Sequence, residues 1–509
     1  MMRRPKLLGI AASLRNARWG AGNRLLVEAL TALPDRPALD TFLATQSELH
    51  LENFVQAGRR DGKGFVEIYR NLKKSKGETG LSNSEVALAA ALWAAHRAGA
   101  EVAHLSLAEH FGAGGGVRDR DALCAKLREA DGLLVSGPVY FGDRGSLAES
   151  LITLIATDAG LRDALAGRPY GGISVGAKRN GGQETTLIYQ MLDMLGLGLI
   201  AVGNDSETTA QYGGTGHAGD VGTMHRDRYG IDTAMGVGRR MARVLETLAS
   251  GGRLAGPPRV LFLVLQDTVD GAARRSVEAL VARLGSAVAA TVVDVVDRHL
   301  DRCIACDICP TGIDVDAVYR CVITSGRDAM AELHPLLLHH DALVPVVAVP
   351  RDRARIVGGY QTFVERSRYL RRGDYVWSDL VVAPLCLAEA IGADTHAIRM
   401  MTSFLRHHTI MTKPLVGRLV DGALVDAGEI VGDLSAFAAV ASRVAAGRLA
   451  AMRTEEARYM PVGYVLSAQK ESEDAAAQRR RGMIEDRIDR LRQDARARLR
   501  HDAASAEPG

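Results

Sequence analysis

Short apolar runs recur along this chain, each about the length of a buried strand and each followed by a stretch of helical period. In the first half, Leu7 to Ala12, Ala100 to Leu107, Asp131 to Ser136, Tyr170 to Val175 and Gly198 to Val202 predict five strands. Helices are predicted over Ser84 to Ala98, Leu147 to Ile155, a stretch ending at Leu195, and Thr233 to Leu248. Strands alternating with helices imply a doubly wound parallel sheet, whose ligands bind at the carboxyl ends of the strands. Residues of about 17–80 stand between the first strand and its helix and read as a charged, partly helical insertion, suited to a lid or a dimer contact.

A Gly/Pro-rich linker, Ser250 to Pro258, separates this half from a second that repeats the pattern. Val260 to Leu265 echoes the first strand, Thr291 to Val296 the second, Asp341 to Val346 the third and Leu380 to Leu385 the fourth. A period near 250 residues implies duplicated domains rather than a solenoid. The expected division is 1–250, 258–448 and a charged helical tail over 449–509, with an apolar stripe at Ile484, Ile488, Leu491 and Ala495.

Composition narrows the class. The chain is 47% hydrophobic and 24% charged with a net charge of +3, which argues against a nucleic-acid partner. No apolar run approaches a membrane span by eye, so no membrane partner is expected. Four of six cysteines are clustered, which disfavours a disulfide framework and places the chain in a reducing cytoplasm.

Those four are Cys303, Cys306, Cys309 and Cys321. A C-x2-C-x2-C run lets successive thiolates converge on one centre, as iron–sulfur ligation requires, whereas zinc more often takes two separated pairs. Eleven residues separate Cys309 from Cys321, so Cys386 is a reserve fourth ligand. His339-His340 and His407-His408 read as surface or packing residues.

In the first half, three loops at one sheet edge carry candidate binding chemistry. Ser13, Ser82, Asn83 and Ser84, with backbone N–H groups at a helix start, can hold a phosphate, and Arg15 can add a charge-assisted bond. Pro138, Val139, Tyr140, Phe141 and Gly142 follow the third strand, and the two aromatics can flank a planar ring. Gly176, Lys178, Gly181 and Gly182 follow the fourth, where glycines let backbone approach a ligand.

Ser13-Leu14-Arg15, Ser136 to Gly142 and Gly176 to Gly182 resemble the NADPH-dependent FMN reductases of the flavodoxin-like superfamily. The second half, with its cysteine run, is similar to the related iron–sulfur flavoproteins. The resemblance implies two tandem flavodoxin-like, five-stranded sheets, FMN phosphate at the first loop and helix, and the isoalloxazine ring near the third and fourth strand loops. It also implies a [4Fe-4S] cluster on the cysteines and NAD(P)H as donor. In the second half the first loop is Gln266-Asp267-Thr268, and Asp267 would repel a phosphate, so one flavin is assigned, to the first half. The expected protein is an FMN-dependent oxidoreductase, a homodimer or higher homo-oligomer, that takes electrons from NAD(P)H or a ferredoxin and passes them to a cluster or a small-molecule acceptor. Two other readings stay open: a scaffold protein with structural zinc, and a quinone, azo or nitro reductase without a cluster.

Overall fold

Lys6–Ala11 is apolar and buried from Leu7 onward, and such a strand must be paired on both edges. It is: Leu7 lies opposite Val102 on one side and Gly132 on the other, both in parallel register. The computed structural model describes residues 3–14, 24–56, 64, 67, 80–111, 116–205, 210–251, 254, 256–305, 321, 323, 326–338, 340–371, 377–389 and 394–453. They fall into two compact units, Met1–Glu246 and Thr247–Gly509.

In the first unit the strands run, edge to edge, Glu101–Ser106, Lys6–Ala11, Gly132–Tyr140, Pro169–Gly176 and then a split fifth strand. That fifth position is shared by Ile200–Val202, opposite Pro169 and Tyr170, and Gly214–His217, opposite Ile173 to Gly176. The order 2-1-3-4-5 is that of the flavodoxin-like fold. From sequence, Gln211 to Asp220 reads as a loop, but Gly214–His217 is a strand: Gly-Thr-Gly-His carries no apolar run to announce one.

Helix Asn83–Arg97 lies on the middle of this sheet, against the first, third and fourth strands, with every residue from Ser84 to Ala95 buried. Its alanines permit that closeness. Gly238, on helix Arg228–Ser250, allows another close approach, since a β-carbon there would strike the carbonyl of Ala91. The described part of the insertion, 24–56, is integral to this unit. Helices Arg24–Thr31 and Arg36–Gln56 pack on Asn83–Arg97 through Leu26, Leu30, Leu39 and Leu43, all buried. Trp93 Nε1 donates to the carbonyl of Leu33 at 3.2 Å, and Leu81 N to that of Gln46 at 3.1 Å.

The second unit has the same order: Ala289–Asp294, Arg259–Thr268, Ala342–Val349, then Val381–Val382 with Leu385–Ala388, then Ile410–Met411 with Leu415–Val420. Each unit ties its first and third strands with the same device. Asp131 accepts from Lys6 N at 2.7 Å, and Asp341 accepts from Arg259 N at 2.9 Å. The second unit closes with helix Ala427–Arg453. Its stretch Ala427–Ala450 is long and apolar enough to cross a membrane, which corrects the expectation of no such run. Half of that stretch is buried, and the helix packs on Ala272–Leu284 and Leu415–Val420 with Ile430, Leu434, Phe437 and Ala441 inside. The charged tail beyond it lies outside the described residues.

Candidate functional site

The site grows from the carboxyl edge of the first unit's sheet. Ser13 follows the first strand and is buried, and Ala12 N donates to the Ser136 carbonyl at 2.7 Å. Arg15 lies outside the described residues. Ser82 caps helix Asn83–Arg97 in a capping box: its Oγ accepts from Glu85 N at 3.4 Å while Glu85 Oε2 accepts from Ser82 N at 3.3 Å. Asn83 is committed to structure, its amide donating to the Asp220 carbonyl and accepting from Thr223 and Met224 N–H at 3.1 and 3.2 Å. Ser84 is buried, and its carbonyl accepts from Ser136 Oγ at 2.8 Å. The backbone N–H groups of Asn83 and Ser84 meet no acceptor among the described residues. They are two of the orphan donors that every helix start presents.

The third strand leaves this edge as a hairpin. Val139 pairs with Arg144 and Tyr140 with Asp143, around a turn at Phe141-Gly142. Both turn residues have positive φ, 52° and 82°. A glycine accepts that readily, whereas an aromatic residue there is strained. Phe141 is also fully exposed, and Tyr140 is exposed beside it. Pro138 and Val139 are half-buried.

The glycine-rich loop after the fourth strand touches that hairpin. A β-carbon on Gly182 would come within 2.7 Å of Gly142 Cα. Gly176 is buried against Gln183, while Lys178 and Gly181 are exposed. Three residues that sequence reasoning missed hold this loop. Gln183 Nε2 donates to the carbonyls of Lys178 and Gly216, at 2.8 and 3.1 Å. Arg179 pairs with the Asp227 carboxylate and lies 5.1 Å over the Tyr229 ring. Asp227 also accepts from His217 N at 2.7 Å. Gln183 could have been suspected from its place after Gly181-Gly182, but nothing in the sequence marks Asp227. The three loops predicted as one site therefore do meet: 84 with 136, and 142 with 182.

The corresponding edge of the second unit is built differently. Asp267 is buried, and its carboxylate accepts from the N–H groups of Thr268, Ala273 and Arg274 at 2.7, 2.6 and 3.0 Å. Thr268 Oγ1 accepts from Ala272 N at 3.1 Å, so the first turn of helix Ala272–Leu284 has its donors filled from within. Strand Ile356–Gly358 pairs antiparallel with Gln266 to Thr268, and Arg355 bonds both Glu389 at 2.9 Å and Asp270 at 3.0 Å. The Thr268 hydroxyl and Arg355 hold the Asp270 carboxyl below the usual range.

Of the cysteines, Cys303 and Cys321 are half-exposed free thiols, and Cys306 and Cys309 lie outside the described residues. Among the described residues no three His, Cys, Asp or Glu side chains are grouped to hold a metal. Cys386 is buried within the fourth strand, opposite Val347 and Val416. His407 and His408 are buried, so packing is their role rather than the surface, and His339 lies outside the described residues.

The profile of the NADPH-dependent FMN reductase family matches residues 75–207. An iron–sulfur flavoprotein of Methanocaldococcus jannaschii is 36% identical over 134 residues, covering 26% of this chain and 67% of that protein. Another from Methanosarcina thermophila is 30% identical over 133 residues, 26% of this chain and 64% of the relative, a little under two thirds. A NAD(P)H dehydrogenase (quinone) of Caulobacter vibrioides is 31% identical over 140 residues, covering 24% of this chain and 69% of that protein. The family match, 75–207, holds the helix start and both glycine-containing loops, and the chain belongs to the NADPH-dependent FMN reductase family of flavin-dependent oxidoreductases.

Proposed function

We propose that the first unit holds one FMN across the edge formed by Ser13, Ser82 to Ser84, Pro138 to Gly142 and Gly176 to Gly182, and that the chain uses it for NAD(P)H oxidation. The observation that carries this reading is the pair of N–H groups on Asn83 and Ser84 that meet no acceptor among the described residues, at the positive end of a buried helix. A phosphate bonded there would lie beside Ser13. The hairpin with Tyr140 and Phe141 and the loop at Gly182 would then border a planar ring, their mutual contact excluding side chains from the space between. Bound there, the flavin would supply two-electron hydride chemistry that can also be released in single electrons. The chain's own work is to seat the phosphate, orient the ring and keep water from one side of it.

The finer part of the reading is a cluster on Cys303, Cys306, Cys309 and Cys321 that relays single electrons to a small acceptor, with a ferredoxin as the alternative donor. Thiolate-only donors at this spacing fit iron–sulfur ligation, and two relatives are themselves iron–sulfur flavoproteins. The quinone dehydrogenase relative favours, instead, direct reduction of a small molecule by the flavin. Iron and acid-labile sulfide analysis of anaerobically purified protein separates the two. The shared strand order and the matched Asp131 and Asp341 ties support descent of both units from one ancestor.

Ser84→Asp tests the flavin seat. A carboxylate brought to the proposed phosphate position repels a dianion, and FMN affinity, read by fluorescence quenching, should fall at least ten-fold in a folded protein. Unchanged affinity would place the phosphate elsewhere.

A further inference from the structure

We infer that residues 220–227 form a strut joining the phosphate end of the proposed flavin seat to its ring end, with Asn83 and Asp227 as its two positioning residues. The flavin's place rests on the reading above, whereas the strut rests on bonds within the first unit. At the near end the Asn83 amide serves this segment rather than its own helix. Its Oδ1 accepts from Thr223 N and Met224 N at 3.1 and 3.2 Å, and so caps the short 3-10 helix Met224–Arg226. Its Nδ2 donates to the Asp220 carbonyl at 2.9 Å. The segment is stiffened from within as well. Thr223 Oγ1 accepts from Asp220 N at 3.1 Å and donates to the Asp220 carbonyl at 2.7 Å, while Asp220 Oδ1 accepts from Val221 N at 2.7 Å.

Asp227 closes the far end. Its carboxylate pairs with Arg179 on the glycine-rich loop and accepts from His217 N at 2.7 Å and Gly230 N at 3.1 Å. Arg179 in turn donates to the Thr215 carbonyl at 3.1 Å. Asp227 N donates to the Met224 carbonyl at 3.0 Å, so one tight turn links the two ends. The insertion backs the middle. Gly222 holds φ at 72°, and a β-carbon there would come within 2.7 Å of the Ser47 carbonyl oxygen on helix Arg36–Gln56. A ligand that touches both ends binds best when their spacing is set before it arrives. On the proposed reading FMN touches both, and riboflavin, which has no phosphate, touches the ring end alone.

Asn83→Ala tests the near end. It keeps the backbone N–H groups and the Ser82 capping box and adds a good helix former, so a change in flavin binding reports position rather than a lost ligand contact. Asp227→Asn tests the far end, keeping the shape but removing the charge that holds Arg179. In flavin-free, full-length Asn83→Ala, hydrogen exchange read by mass spectrometry should quicken over 220–227 and also over 178–183 and 214–217. Each variant should weaken FMN binding about five-fold, the worth of one hydrogen bond, and riboflavin binding by less than about two-fold. The double variant should bind FMN within about two-fold of the weaker single one, since both changes break one element, whereas independent sites would multiply to about 25-fold. Exchange that quickens over 220–227 alone, losses that multiply, or equal losses for FMN and riboflavin overturn the strut. So does unchanged FMN affinity in Asn83→Ala where Ser84→Asp weakens it. If Ser84→Asp leaves FMN affinity unchanged, the phosphate reading fails, and exchange in the flavin-free protein still decides the strut.

Discussion

The two units begin alike and differ at the end of the first strand. In the first, helix Asn83–Arg97 starts with a capping serine and two N–H groups that no described residue satisfies. In the second, the Asp267 carboxylate takes three N–H groups and the Thr268 hydroxyl a fourth. The segments beyond the third strand differ as well. Val139 to Arg144 folds on itself as a hairpin, whereas Ile356–Gly358 lies along Gln266 to Thr268. The helix dipole favours an anion at both starts. Among the described residues one unit leaves that demand unmet, and the other meets it with its own side chain. On the proposed reading, the same fold serves as a binding site once and as a self-satisfied frame once.

The largest expected effect comes from removing the built-in anion. Asp267→Ala strips charge-assisted bonds from buried N–H groups, which should destabilise the second unit by about 3 kcal/mol. Denaturant unfolding followed by Trp377, buried in the second unit, reads this in a Trp19→Phe/Trp93→Phe background. FMN affinity should not change. Ser84→Asp should show the converse pattern, with flavin lost and the Trp377 transition unmoved. A fall in flavin affinity in Asp267→Ala would break the comparison.

Acid should also separate the units. His407 is wholly buried beside Trp377, with Arg371 and Arg406 nearby, and burial pushes its pKa down to about 3. A depressed histidine pKa means the unfolded chain binds the proton first. The stability it protects is therefore intact above about pH 6.5 and drains away as pH falls towards 3. Between pH 7 and 5 the second unit should lose about 2 kcal/mol from this group alone. His407→Gln, which cannot be charged, should flatten that part of the pH profile. An equally steep acid limb in the variant would assign the loss to other groups.

The alternation of strands and helices was readable because parallel strands buried on both faces are apolar throughout, as in Leu133-Leu134-Val135 and Val260 to Leu265. What sequence missed was carried by polar or glycine residues whose partners are remote. Gly214–His217 is a strand because Pro169–Gly176 offers it an edge, not because its residues prefer one. The loops lie at the sheet edge where they were expected, but the side chain of Asn83 is spent on Asp220, Thr223 and Met224, which leaves its N–H alone for a ligand. Asp267 was recognised as hostile to phosphate, yet its capping of the next helix depends on a backbone geometry that no residue pattern states. The insertion showed its charge but hid its packing, since Leu26, Leu30, Leu39 and Leu43 are sparse along two helices.

The smallest expected effect is the most pointed about the open seat. Phe141 holds φ at 52° with its ring in solvent, a conformation that costs a residue bearing a β-carbon about 1 kcal/mol. Glycine would relieve that strain but returns most of the gain as greater freedom of the unfolded chain. Phe141→Gly should therefore change stability by no more than about 0.5 kcal/mol. A ring that exists to border a flavin should nonetheless be missed by the ligand. Losing one stacking contact, worth about 1 kcal/mol, should weaken FMN binding about five-fold. Phe141→Leu keeps the strain and the apolar bulk while removing the ring's face, and should fall between the two. The second unit offers an internal control, because Arg355 and not an aromatic precedes the strand that lies along its sheet edge. If both Phe141 variants bind FMN as tightly as the unaltered protein, the strained ring serves some other contact, and the flavin plane must lie away from the hairpin.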